Sequence, residues 1–359
     1  MTPKLNLKDY KNYLILQTAF IGDVALSLFF VEALKKINPE ANINFITTNT
    51  SFELVKSSKS VNNAIIFDKR KSHKKISQIK IFANEFNQKY KTDVAFILHK
   101  SLRSAILTRF ISSKYKIGFD KNALSFLLSR RVKYYKNMHE IDRNMQLLSA
   151  FSEYNSNINY ILRPEIDFTE ISNSDSNIIS NNTILKHINP NIEKNIIAVS
   201  IGSAWETKKW KYEYFLETIS RLKKNNYEVV LIGDKSDQRD CENIAASTNS
   251  ISLAGKTTIP ETLQLLKFAK LLITNDSAPT HFASILNIPT ITIFGPTSPI
   301  FGFYPIADNS KIVEDINLSC RPCSIHGGKT CPKKTHDCMN NITPEQVLSA
   351  VEDIIKKTT

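Results

Sequence analysis

No uncharged apolar run in this 359-residue chain approaches the ~18 residues that a membrane span requires, so nothing in it reads as a transmembrane helix. The opening stretch, MTPKLNLKDYKNY, lacks the apolar core of a signal peptide, and a cytosolic protein is the expectation. Three signatures are missing as well. There is no G-x4-G-K-[ST] loop, no G-x-G-x-x-G turn and no G-x-S-x-G elbow. Those absences weigh against P-loop enzymes, ordinary dinucleotide dehydrogenases and serine hydrolases. No D-x-D pair occurs either, so a diphosphate bound here needs neutralising by lysine and helix dipoles. Cysteine is sparse, five residues in all: Cys241 alone, and Cys320, Cys323, Cys331 and Cys338 clustered beside His326 and His336. Cys320 and Cys323 have the spacing of a zinc ligand pair, but the gaps of seven and six residues that follow do not repeat it. Zinc ligation and reduced loop thiols both stand as readings of this cluster.

What is present is the composition of an ordinary globular protein, 42% hydrophobic and 23% charged, long enough for two domains. Its charge is unevenly placed. Residues 1–163 hold 27 Lys and Arg against 12 Asp and Glu, a balance of +15, while the rest hold 20 against 22, a balance of −2. A basic half joined to a near-neutral half implies that the first half meets something anionic. For a single cluster such as Lys69 to Lys75, plain solvation is an equally good account.

The most strongly patterned stretch is LLITNDSAPTHFASILNIPTITIFGPTSP, Leu271 to Pro299. It reads as a buried strand to Thr274, a polar turn at Asn275, Asp276 and Ser277, a helix to about Leu286, and a second buried strand from Thr290 to Phe294. That is a parallel βαβ unit. The helix start, capped by Asp276 or Ser277, offers backbone N–H groups to a phosphate. Ligands of open α/β sheets sit at the carboxyl ends of the strands, which places His281 and Gly295-Pro296 near the same point.

The same alternation runs along the chain. Strands are expected at Asn12–Gln17, Ile43–Thr47, Ala64–Phe67 and Asp93–Leu98, with a helix from about Val24 to Ile37 stopped by Asn38-Pro39. Residues 152–195, rich in Asn, Ser and Ile, read as a connection with one short strand at about 161–168. The pattern restarts with a strand at Asn195–Ile201, a helix at Tyr212–Lys224 and a strand at Glu228–Ile232. A capping box of Thr343, Pro344 and Gln346 opens a last helix that runs to about Lys357. Two Rossmann-like domains facing one another are the expectation: 1–163, a connection at 164–194, and 195–342, followed by a terminal helix at 343–359.

Two places could carry chemistry. Asp23 follows Gly22 where the first helix begins; spacing alone favours a helix cap over a general base. In SIGSAWETKKW, Ser200 to Trp210, a glycine turn after a strand exposes N–H groups, Ser203 adds a hydroxyl, and Lys208 or Lys209 can reach an anion.

These stretches, with TAFIGDVALS near the start and CRPC…CPKKTHDCMNNITPEQV near the end, resemble glycosyltransferase family 9, the ADP-heptose:lipopolysaccharide heptosyltransferases. The resemblance spans nearly the whole chain and leans toward the second inner-core addition. It implies a GT-B fold, with ADP-heptose bound by the C-terminal domain and the lipopolysaccharide inner core by the N-terminal one. It implies catalytic roles for Asp23, as base, and Lys208, at the donor phosphates. It implies donor contacts from Ser203, Asp276, Ser277 and His281, with Thr257 near the adenine and Asp234 near the ribose. No cofactor, no metal and no nucleic-acid partner is expected; peripheral contact with the inner membrane and its absence both stand as readings. Two departures stand out: Ala278 replaces the family's usual glycine, and Ala204 a second hydroxyl.

Location and charge add Lys100, Arg103, His139 and Arg143 as acceptor ligands, beside His99. The implied reaction is an in-line displacement with inversion. Its rivals are a sugar-nucleotide epimerase on the same architecture and a non-catalytic basic binder of glycan or RNA.

Overall fold

The computed structural model describes residues 4–155, 162–169 and 195–358. The chain divides into two compact units, Met1–Asp167 and Phe168–Thr359. Each is an α/β layer structure around its own parallel sheet.

In the first unit the strands are β1 (Asn12–Leu16), β2 (Asn42–Thr47), β3 (Asn63–Ile66), β4 (Val94–Ile97), β5 (Tyr115–Phe119) and β6 (Arg130–Val132). The helices are α1 (Ile21–Ile37), α2 (Phe52–Lys56), α3 (Ile76–Lys89), α4 (Leu102–Phe110) and α5 (Glu140–Met145). Every strand pair is parallel and the spatial order is β3-β2-β1-β4-β5-β6. β1 is central, so apolar residues fill both its faces, and Tyr13, Leu14, Ile15 and Leu16 are all fully buried. α1 is apolar on most sides because it packs between the sheet and α5.

The second unit repeats the plan. Its strands are β7 (Ile196–Ser200), β8 (Glu228–Ile232), β9 (Ile251–Ser252), β10 (Leu271–Asn275), β11 (Thr290–Phe294) and β12 (Lys311–Glu314). Its helices are α6 (Tyr212–Lys224), α7 (Gln238–Thr248), α8 (Ile259–Leu266), α9 (Ala278–Leu286), α10 (Asp337–Asn340) and α11 (Pro344–Thr358). The order β12-β11-β10-β7-β8-β9 is the first sheet's order over again. In both, the direction of winding reverses between the first and fourth strands, at β1/β4 and β7/β10. A crevice opens there at the strands' carboxyl ends, and it is where such sheets bind ligands.

Several boundaries differ from the sequence reading. α1 starts at Ile21, three residues early, because Phe20 is the last extended residue, so Asp23 lies in the first turn and is not the cap. β4 starts at Val94, one residue late, and the Asp93 carboxylate before it accepts the N–H groups of Lys11 and Asn12. β5, β6, β9 and β12 were not expected. The capping box of Thr343 and Gln346 is present, each side chain accepting the other's backbone N–H. Set apart in the expected division, α11 instead packs on α6, β11 and β12, with Val347, Val351 and Ile354 inside the second core. Most of the expected connection at 164–194, and Ile161 of its short strand, lie outside the described residues; Ile166 makes one bridge to Ser58.

Candidate functional site

The first unit gathers its ionisable groups at the β1/β4 switch point. Asp23, half-buried in the first turn of α1, has its carboxyl pushed up to about 6 by burial, against the pull of its own N–H, Lys100, the Phe20 N–H and Arg143. A carboxylate with that pKa is ionised near neutrality yet still basic, which suits proton abstraction from a hydroxyl. Lys100, on the loop after β4, is lowered by burial, although Glu140 and Asp23 hold it up. Its Nζ lies 3.6 Å from the Tyr134 ring centre, and the Arg143 guanidinium lies 4.7 Å from the same ring. Lys69, after β3, donates to the Thr18 carbonyl at 2.5 Å, which ties two switch-point loops together. His99 meets the hydroxyls of Thr18 and Ser104 at 2.8 and 3.0 Å, and burial beside Lys69 and Lys100 pushes it down to about 4, so it is neutral.

Two of the expected acceptor ligands are placed otherwise. Arg143 is 1% exposed. Its guanidinium donates to the carbonyls of Tyr135, Lys136 and Met138 and pairs with Glu140, so it shapes the β6–α5 loop from inside. His139 is buried as the cap of α5, its Nδ1 accepting the Ile141 N–H. Both side chains are buried inside the unit, where location and charge alone had suggested direct acceptor ligands. Burial also pushes the Glu140 carboxyl up to about 7, with Arg143 opposing. Arg103 is exposed and donates to the Lys69 carbonyl at 2.6 Å.

The second unit builds its cluster where β7 and β10 diverge. Asn275, fully buried at the end of β10, donates to the Ile201 carbonyl and accepts the Trp210 N–H, locking the loop after β7 to β10. That lock delivers Lys208, 9% exposed, to Asp276: Nζ lies 2.6 Å from Oδ2 and 3.2 Å from the main-chain oxygen. Thr297 donates to the same carboxylate oxygen at 2.6 Å. One ammonium hydrogen of Lys208 remains for an incoming anion. Ser277 caps α9 by backbone geometry and lies 3.2 Å from the Thr274 hydroxyl. Pro279 removes one of the donors expected at this helix start, and the Thr280 N–H is spent on the Ser277 carbonyl. His281 is buried one turn along α9, 6.3 Å from the Phe303 ring.

Ser203 is half-buried in the same loop and accepts the Trp205 N–H at 3.3 Å. Asp234 is exposed at the end of β8 and accepts from the Ser236 N–H and hydroxyl. Thr257, half-buried after β9, meets the Thr262 hydroxyl at 2.9 Å. The cysteine loop has a place in this site. Its Gly328 exchanges hydrogen bonds with Thr207, and His336 Nε2 meets the Thr207 oxygen at 2.6 Å. Arg321 donates to the carbonyls of Gly295 and Thr297, so the loop straps the Lys208 turn to the end of β11. Burial pushes the Cys338 thiol up to about 11. Among the described residues no group of three or more His, Cys, Asp or Glu could hold a metal ion.

Tyr134, Glu140 and Thr297 were not singled out in the sequence, Lys69 entered only as part of a basic cluster, and Arg321 only within CRPC. Only Thr297, the first hydroxyl after Gly295-Pro296, stands within a stretch that pointed to a site. Among the described residues no helix is long and apolar enough to cross a membrane.

The structure of a family 9 glycosyl transferase from Veillonella parvula superposes with a TM-score of 0.84 at 22% identity, covering 99% of both chains. The E. coli ADP-heptose heptosyltransferase II superposes with a TM-score of 0.75 at 22% identity, over 97% of this chain and 99% of that one. By sequence, lipooligosaccharide heptosyltransferase 2 of Campylobacter jejuni is 26% identical over 273 residues, 75% of this chain and 76% of its own length. The expected α/β class of the GT-B type is the fold these structures share. The sequence profile described as "Glycosyltransferase family 9 (heptosyltransferase)" matches residues 86–334, well over half of the chain, and the protein belongs to that family.

Proposed function

We propose that this chain transfers heptose from ADP-heptose to the inner core of lipopolysaccharide, in one inverting displacement that uses no metal ion. The observation that carries the proposal is Asp23: a half-buried carboxylate at the switch point of the first sheet, with its pKa raised to about 6. Asp23 takes the proton of an acceptor hydroxyl as that oxygen attacks the anomeric carbon. Attack from the face opposite the leaving diphosphate inverts that centre. Lys208 meets the charge that develops on the departing diphosphate with its free ammonium hydrogen, and the start of α9 adds its dipole. Asp276 and Thr297 act one step back, holding Lys208 in place. Ser203 and Ser277 supply hydroxyls to the phosphates, His281 the sugar end, and Thr257 and Asp234 the nucleoside. Lys100 and Arg103 meet the anionic groups of the acceptor, while His139 and Arg143 shape the loop beside them. The absence of any D-x-D pair supports the metal-free reading.

The test is incubation with ADP-heptose and defined inner-core acceptors, with products read by mass spectrometry. A heptose added to the acceptor, of inverted anomeric configuration by NMR, is the expected result. Conversion of the donor alone, without acceptor, would instead identify an epimerase.

A further inference from the structure

We infer that Glu140 is a positioning residue of the transfer reaction, which through Arg143, Tyr134 and Lys100 makes the base, Asp23, one member of a coupled carboxyl pair. The inference rests on the function proposed above and adds a residue to it. Glu140 opens α5, and α5 packs on α1, which carries Asp23 in its first turn. It is 7% exposed, and a glutamate that far from water needs a partner. That partner is Arg143, one turn along the same helix, whose Nε and Nη2 groups donate to the carbonyls of Tyr135, Lys136 and Met138. The Arg143 guanidinium also lies 4.7 Å from the Tyr134 ring centre, and Lys100 Nζ lies 3.6 Å from it. One ring thus ties the lysine nearest the base to the arginine that holds Glu140.

The groups that face the two carboxyls are Lys69 after β3, Lys100 after β4, Tyr134 and Lys136 before α5, and Arg143 on α5 itself. His99, beside Lys100, is neutral. Burial lowers Lys100, and the largest influence that keeps its proton on is Glu140, ahead of Asp23. Burial pushes the Glu140 carboxyl up to about 7; Arg143 pulls it down, and the charge of Asp23 pushes it up again. Two carboxyls that feel one another titrate as a pair, the second proton leaving against the charge left by the first. Burial pushes Asp23 up to about 6, so between about pH 6 and 7 the pair holds one proton, mostly on Glu140. Above that range the second charge arrives. It makes Asp23 a stronger base and secures the ammonium of Lys100 for the anionic groups of the acceptor. A Glu140 kept only to neutralise Arg143 would leave the ionisation of Asp23 untouched.

Two readouts test this, one of them without any sugar. In the full chain with isotope-labelled glutamate carboxyls, carbon NMR should show one resonance titrating near pH 7, missing from both Glu140→Gln and Glu140→Asp. In Asp23→Asn the same resonance should titrate at least about half a unit lower, because the neighbouring charge is gone. The second readout is the pH profile of transfer. As pH falls, kcat/KM of the parent should drop about three-fold through pH 7 and then steeply through pH 6. Glu140→Gln should lose the upper step and keep the lower one, with the KM for donor unchanged. Glu140→Asp retains a carboxylate and should retain both steps. If Glu140→Gln fails to fold, Glu140→Asp still assigns the resonance and Asp23→Asn still tests the coupling. No resonance near pH 7, a midpoint indifferent to Asp23→Asn, or parent and Glu140→Gln profiles of one shape would each overturn the inference. A parent that shows the NMR coupling but transfers no heptose would overturn the enzymatic reading and leave the carboxyl pair standing.

Discussion

Burial holds the Asp23 carboxyl at about 6, against 3.8 for an ordinary aspartate, so ionising it in the folded protein costs free energy that the unfolded chain avoids. Its contribution to stability is therefore fully present below about pH 4 and is lost as pH rises through about 6. Asp23→Asn escapes that loss. Because the side chain keeps some access to water, a gain of about 1 kcal/mol is expected, seen as a melting point ~2–4 °C higher at pH 8 and unchanged at pH 4. The same variant should lose ~10²–10⁴-fold in turnover with little change in donor affinity, and the parent's kcat/KM should fall below about pH 6. Retained turnover would exclude Asp23 as the base. Lys208 carries a different balance. Removing it leaves the Asp276 carboxylate buried without its cation, so Lys208→Met should destabilise by about 3 kcal/mol. Lys208→Met with Asp276→Asn should regain most of that in a denaturant titration and regain no transfer. A double variant as unstable as the single would show that the pair does not act as a unit.

Between residues and the whole lie the loops that hold them, and here the cysteine segment matters for its backbone. Gly327 has φ +90°, and a Cβ there would stand 3.1 Å from Lys208 Cγ and from Trp205 Cβ. Gly327→Ala should destabilise by about 1–2 kcal/mol and raise the KM for donor several-fold while leaving the KM for acceptor alone. Equal effects on both would argue against a strap on Lys208. The role of this loop was not legible in the sequence, where thiol spacing invited a metal argument and the two glycines passed without comment. Strongly patterned strands were legible: β1, β7, β10 and β11 lie inside their sheets and nearly every residue in them is buried. β6, Arg130-Arg131-Val132, and β12, which opens on Lys311, are edge strands, where charge and shortness are what an exposed edge requires. The candidate site followed the same division. Asp23, Lys208 and Asp276 are adjacent to strongly patterned strands, whereas Arg143 looked accessible because helical spacing cannot reveal carbonyls arriving from residues 135–138.

At the scale of the molecule, two sheets with one strand order divide the labour unevenly. The first carries the positive charge, the second the strapped Lys208–Asp276 cluster, and each has its own core. Two cores permit two unfolding transitions, and the chain contains probes that separate them. Its only tryptophans are Trp205 and Trp210, both in the second unit, and Trp210 is buried against Phe215 and Tyr214. Tryptophan fluorescence therefore reports the second unit alone, whereas far-UV circular dichroism reports both. A ligand that binds only the folded form of one unit stabilises that unit by about 2.7 kcal/mol at a hundred times its Kd. If the nucleotide is held by Lys208, Ser277 and Thr257, ADP should raise the fluorescence midpoint by several degrees. Only the matching part of the dichroism curve should move with it, and Lys208→Met should abolish the shift. A fluorescence midpoint indifferent to ADP, with the remaining dichroism change moving instead, would place the nucleotide in the first unit and overturn the assignment of donor and acceptor sides.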